Sequence, residues 1–150
     1  MKVVIQRVSR ASVEVEGKIV SSIDKGLLIL LGVTDGDAME DIDWLIKKIT
    51  QLRIFEDEAG VMNVSAVDAG AAYIVVSQFT LHASTKKGNR PSYIKAARPE
   101  VAEPLYEAFV EKLRSQVTST VGTGIFGADM KVSLVNDGPV TIIIDTQNKE

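Results

Sequence analysis

The sequence predicts an α+β fold. One compact domain, residues 1–150, carries a curved, mostly antiparallel, barrel-like sheet and two main amphipathic helices. Three observations predict it. Strand-like runs of alternating or continuous apolar residues dominate the chain. Helical periodicity occurs at only two separated points, too few for a βαβ array. No internal repeat, linker or low-complexity segment divides the 150 residues.

Met1–Val8 reads as a strand, and Ala11–Glu16 alternates strictly, the mark of a half-wet strand face. Gly17-Lys18 turns this into Ile19–Ile23, a hairpin. Leu27–Val33 is apolar throughout, which suits a strand covered on both sides. Asp37 is expected to open the first helix, with Glu40 at the reciprocal capping position. Ile42, Leu45, Ile46, Ile49 and Leu52 then form its buried stripe, with Lys47 and Lys48 facing away and Trp44 packing beside it. Glu56–Gly60 is a turn, Val61–Val64 a short strand, and Ala71–Val76 a buried strand. Pro99 and Pro104 both suit a first helical turn. Tyr106, Phe109, Val110, Leu113 and Val117 supply the second stripe, which Gly122-Thr123-Gly124 stops. Met130, Val132 and Leu134 alternate as a strand. Asn136-Asp137-Gly138-Pro139 breaks that pattern and Val140–Ile144 resumes it. On the residues alone, Asp137-Gly138-Pro139 also fits an ordinary hairpin connection.

Composition narrows the chemistry. Cysteine is absent, which removes disulfides, thiolate catalysis and cysteine zinc sites, and fits a reducing compartment. No signal-peptide pattern and no membrane-length apolar run is present, so a cytoplasmic protein without membrane contact is expected. The net charge of −3 speaks against a general nucleic-acid coat. It leaves room for a local basic site, since Lys86, Lys87, Arg90, Lys95 and Arg98 lie together with no acidic residue between them. His82 is the single histidine, and no Gly-x-Ser-x-Gly elbow accompanies it. With one histidine and no ligand-spaced carboxylate cluster, no metal is expected. Gly122–Gly127 matches Gly-x-Gly-x-x-Gly but follows a helix and precedes a strand, the reverse of the dinucleotide-binding context. No cofactor is expected.

The stretch Ser77-Gln78-Phe79-Thr80-Leu81 stands out against this background. It ends the Ala71–Val76 run with two hydroxyls and an amide around one phenylalanine, and the basic loop follows directly. Hydroxyls, an amide and backbone groups can accelerate acyl transfer, because one aimed N–H donor at an oxyanion contributes about 3 kcal/mol. An ester needs less help than an amide, so these groups favour an ester substrate. Taken singly, Phe79 and Phe126 suit a core position as well as a pocket wall, and Thr80 can satisfy a strand end.

Three stretches together, Ser77–Leu81, Lys87-Gly88-Asn89-Arg90-Pro91-Ser92 and Asn136-Asp137-Gly138-Pro139-Val140-Thr141, resemble the D-aminoacyl-tRNA deacylase family. Gln6–Val13 and Gly124–Met130 fit as well, and the resemblance runs from Met1 to about Asp145. It implies a cytoplasmic homodimer that hydrolyses the ester between a D-amino acid, or glycine, and the 3′ end of tRNA, as chiral proofreading in translation. It places Ser77, Gln78, Phe79 and Thr80 in the catalytic pocket, with the oxyanion donors among the backbone N–H groups near Phe79 and Thr80. Thr80 is either a covalent nucleophile or a positioning group. It implies a cis Gly138-Pro139 bond that reaches the partner subunit's pocket and holds the substrate amino group. Phe126 and Met130 are expected at the substrate, and Lys86, Lys87 and Arg90 on tRNA phosphates. Two alternatives are a non-catalytic RNA-binding dimer using the basic loop and a dimeric structural protein.

Overall fold

A computed structural model describes residues 1–150. The chain runs β1 (Lys2–Val15), β2 (Lys18–Ile23), β3 (Gly26–Gly32), α1 (Met39–Thr50), β4 (Phe55–Glu56) and β5 (Met62–Val64). It continues through β6 (Ala72–Ser77), a 3-10 turn (Phe79–His82), α2 (Pro99–Gln116), β7 (Val121–Thr123) and β8 (Lys131–Asp145). The α+β reading holds, with one refinement. Pairing around β1 is antiparallel, whereas β3–β6 and β6–β7 are parallel. The order β2-β1-β3-β6-β7, with β8 on the other side of β1, makes a mixed sheet. Its far members come together across the curve, because a Cβ at Gly122 of β7 would lie 2.8 Å from that of Ser21 in β2.

The two opening strand-like runs are one strand. β1 spends its first half on β3 and its second half on β2, and pairs along nearly its whole length with β8. Glu16 and Gly17 both take positive φ in the connecting turn, the geometry that matches hairpin twist. β3 is buried nearly throughout, as its continuous apolar run requires. It approaches β6 so closely that a Cβ at residue 26 would sit 2.1 Å from the Ala72 carbonyl oxygen. Both helices pack on one face of the sheet, where Ile42, Leu45, Ile46 and Ile49 of α1 meet Tyr106, Phe109, Val110 and Leu113 of α2 in the main core.

Four local expectations are corrected, and one alternative is excluded. Asp37 does not open α1. Its carboxylate binds the Met1 amino group at 2.6 Å and the Thr34 N–H at 2.8 Å, and the helix starts two residues later. Asp41, not Glu40, reaches back, accepting the Ala38 N–H at 2.8 Å. Pro99 is the first residue of α2, but Pro104 lies inside it, where the ring removes the N–H that would bond to Glu100. Gly122 does not merely stop a helix, because Val121–Thr123 pairs in parallel with β6. Finally, Asp137–Pro139 is no hairpin. β8 pairs with β1 on both sides of it, from Glu14↔Lys131 to Val8↔Asn136 and again from Gln6↔Thr141 to Lys2↔Asp145. Residues 137–140 therefore leave the ladder opposite Arg7.

Burial raises the Asp41 carboxyl, but hydrogen bonds from the Thr146 hydroxyl and the Ala38 N–H, with the positive amino terminus, outweigh it and leave its pKa below the usual carboxylate value. A depressed pKa contributes stability above the unfolded-state value that is lost as pH falls through the folded one. Asp41→Asn should therefore lose less stability than the parent protein as pH falls below about 4, the ordinary carboxylate value. Urea midpoints across that range check this, and equal losses would contradict it.

Candidate active site

β6 ends at Ser77 because Gln78 leaves the sheet, its N–H still bonded to the Leu31 carbonyl at 2.8 Å. Phe79–His82 then coils into the 3-10 turn. Gln78 caps that turn without a side-chain hydrogen bond, so the leading N–H groups, those of Phe79 and Thr80, have no partner within it. The Gln78 side-chain amide donates instead to the Thr80 hydroxyl at 2.5 Å.

This strand end opens into a cavity of about 570 Å³. Ser77, Gln78 and Phe79 line it from β6 and the turn, and Phe126 and Met130 line it from the β7–β8 connection. Five of the residues singled out in the sequence thus share one pocket. Thr80 stands just behind, tied to Gln78, and is not part of the lining. The lining is otherwise largely apolar, as suits a site that must exclude bulk water around a few placed polar groups.

Sequence reasoning missed a third wall, Tyr93, Ala96–Pro99, Ala102 and Tyr106. Ala96 and Ala97 are pinned to the end of β3 by the Thr34↔Ala96 bridge and by the Ala97 N–H bonded to the Val33 carbonyl at 2.9 Å. Tyr106 was legible only as a member of the α2 stripe. Its hydroxyl donates to the Val75 carbonyl at 2.7 Å, and its ring contacts Phe126 at 5.9 Å. Burial pushes the Tyr106 phenol up to about 12 against the lowering effects of the Gly124 N–H and Arg114, so it stays protonated and serves as a fixed donor. A tyrosine in an apolar stripe is the available signal, since a buried phenol must find a partner.

Lys86, Lys87 and Arg90 lie outside the pocket on an exposed loop. The loop is closed at its base by two hydrogen bonds between Ser84 and Ser92, at 2.9 and 2.8 Å. His82 is buried beside Gly32, with Nε2 unpartnered, and contributes nothing to the lining. No three histidine, aspartate or glutamate side chains converge anywhere. No helix is long and apolar enough to cross a membrane.

Gly138 and Pro139 are absent from their own chain's pocket. They sit exposed at the tip of the 137–140 excursion, joined by a cis bond. Arg7, only 6% exposed, holds this tip from below. Its Nε donates to the Asp137 carbonyl at 2.9 Å and its Nη1 to the Ile54 carbonyl at 2.6 Å. Asn136 braces the other side by accepting the Val140 N–H at 2.8 Å.

The chain resembles known proteins along nearly its whole length. The family profile described as D-Tyr-tRNA(Tyr) deacylase matches residues 4–145. The D-aminoacyl-tRNA deacylase of Bacteroides thetaiotaomicron is 63% identical over 150 residues, all of both chains. That of Flavobacterium psychrophilum is 66% identical over the same full length. A solved structure described as c-Myc DNA Unwinding Element Binding Protein is 42% identical, with a TM-score of 0.93 over 97% of this chain and 99% of that one. Another, described as a probable eukaryotic D-amino acid tRNA deacylase, is 16% identical and shares the fold, with a TM-score of 0.81 over 95% of this chain and 97% of that one. With a family match over nearly its whole length and full-length relatives above 60% identity, the chain belongs to the D-Tyr-tRNA(Tyr) deacylase family.

Proposed function

We propose that this chain hydrolyses the ester of D-aminoacyl-tRNA, releasing the free D-amino acid and tRNA as chiral proofreading in translation, in the cytoplasm. The observation that carries the reading is a strand end, Ser77–Thr80, opening into an apolar pocket in a chain 63% identical, end to end, to a D-aminoacyl-tRNA deacylase. In this reading the terminal adenosine lies against Phe126 and Met130. The ester carbonyl faces the N–H groups of Phe79 and Thr80, which hold the oxyanion as water adds to the carbonyl carbon. The acyl C–O bond then breaks, and the 3′-oxygen leaves with a proton. Lys86, Lys87 and Arg90 neutralise tRNA phosphates outside the pocket.

The pocket lining offers no general base. His82 lies outside it, and the Asp129 carboxylate is paired with Lys131 at 2.9 Å. Thr80 is already hydrogen-bonded by Gln78, with no base beside it to take its proton, so it positions rather than attacks. The group left to orient and activate the water is the substrate's own terminal 2′-hydroxyl. Removing it by using tRNA that ends in 2′-deoxyadenosine should slow single-turnover hydrolysis by about 100-fold or more. Undiminished turnover, or an acyl group trapped on Thr80, would contradict this.

A second copy completes the site. Gly138 and Pro139 are exposed and take no part in their own pocket, and β8 leaves its outer edge unpaired with Ile143 67% exposed. A two-fold homodimer would bring each tip to the other subunit's Phe79–Thr80 segment. Its carbonyls would hold the substrate amino group, and an L side chain would point into backbone, which has no rotamer to move out of the way. Glycine has no side chain to exclude and would also be accepted. Paired assays on D- and L-tyrosyl-tRNA test the function directly. The D ester should be preferred by about 100-fold or more in kcat/KM. Binding of tRNA without turnover would select a non-catalytic RNA-binding role instead.

A further inference from the structure

Two aromatic pairs stand in the pocket wall, and they differ in depth. Tyr106 and Phe126 form the enclosed pair, with Tyr106 buried. Phe79 and Tyr93 form the open one. Their ring centroids are 5.0 Å apart at 75°, an edge-to-face contact that fixes the rings against each other. Both remain on the surface, Phe79 54% and Tyr93 42% exposed, with Ile94 almost fully exposed beside them. In the proposed dimer the partner's tip reaches the Phe79–Thr80 segment, which leaves the Tyr93 ring and Ile94 as the large apolar groups in water that call for an occupant.

The charge around the mouth is uneven in a way that identifies the occupant. On the Tyr93 side the chain from Ala83 to Arg98 has five exposed cations, Lys86, Lys87, Arg90, Lys95 and Arg98, and none pairs with a carboxylate. Arg98 lines the pocket itself. The Phe126–Met130 segment carries instead the acidic Asp129, already paired with Lys131. An anionic strand leaving the pocket would pass Tyr93. An exposed aromatic ring beside unpaired cations is the arrangement that binds single-stranded nucleic acid, with bases stacking on the ring and phosphates meeting the charges.

We infer that Tyr93, its ring fixed by Phe79, is a stacking subsite for the base of the nucleotide preceding the terminal adenosine. This rests on the proposed deacylase reading, and adds to it a base contact at the open Tyr93 wall of the cavity, apart from the Phe126–Met130 wall that takes the terminal adenosine. Stacking accepts any base, so the subsite supplies affinity and register for the 3′ strand without reading tRNA identity.

Three non-hydrolysable probes separate the possibilities, all ending in 3′-(D-tyrosylamino)-3′-deoxyadenosine. The first is this nucleoside alone, the second carries a preceding cytidine, and the third carries an abasic nucleotide that keeps the phosphate. The parent protein should bind the cytidine probe about 10-fold more tightly than the abasic one. Tyr93→Ala should reduce that ratio to below about 2-fold, while Tyr93→Phe, which keeps the ring, should retain it. The inference is overturned if the parent protein binds the two dinucleotide probes equally, or if the preference survives in Tyr93→Ala. If Tyr93→Ala weakens all three probes alike, the ring belongs to the aminoacyl-adenosine pocket or its scaffold, which also overturns it. A parent protein that binds the nucleoside yet ignores the added base defeats only the subsite, whereas one that binds no probe defeats the deacylase reading on which it rests.

Discussion

The break in the β1–β8 ladder opposite Arg7 is the constraint on which the rest of the molecule depends. A guanidinium cannot shed its charge, so a nearly buried one must be given acceptors. The side chain of Asp137 reaches it only at 4.0 Å, and backbone carbonyls do the work, from Asp137 in the excursion and Ile54 after α1. Arg7 thereby ties the exposed Gly138-Pro139 tip to the region between the helix and the small β4–β5 pair. Space is tight enough that a Cβ at Gly138 would come within 2.8 Å of the Val140 side chain and 3.1 Å of the Arg7 guanidinium. The tip is consequently a rigid backbone feature carried on the longest strand pair in the fold, not a loose loop.

Rigidity matters because the pocket end of the site is also made from backbone. β6 delivers Ser77 to the cavity, and its placement is set by parallel pairing with β3 and by the Tyr106 hydroxyl on the Val75 carbonyl. No side chain in the lining is poised to exchange a proton, so in the proposed reaction the protein contributes positioning and electrostatic stabilisation by N–H donors. Such a site suits an activated ester whose own hydroxyl group assists. It also suits discrimination by shape, since handedness can be read from fixed backbone without any titrating group.

Much of this was legible in the sequence, for identifiable reasons. Continuous apolar runs disclosed β3 and β6 because both of their faces are covered, and the helix stripes disclosed α1 and α2 because each buries one side. Ser77, Gln78, Phe79, Phe126 and Met130 were legible as a set only through their resemblance to a family, since each alone also suits a core or strand end. β7 was hidden because three residues around a glycine carry no period, and its partner lies far away in sequence. The α1 start was misplaced because Asp37 and Asp41 both suit a cap, and the choice is made by the distant Met1 and Thr146. The Tyr93–Pro99 wall was hidden because its residues look like a solvated loop until Val33 and Thr34 pin it beside the pocket.

The central claim is that each active site is built from the pocket of one subunit and the Gly138-Pro139 tip of the other. Subunit complementation tests it most directly. One chain would carry Pro139→Ala with an intact pocket, and the other Ala128→Trp, which sets an indole in the pocket lining, with an intact tip. Each homodimer should be inactive on D-tyrosyl-tRNA. The doubly tagged heterodimer contains one pocket facing one intact tip and should recover about half of the parental activity. A heterodimer no more active than its parents, or a Pro139→Ala homodimer with full activity, would contradict the shared site.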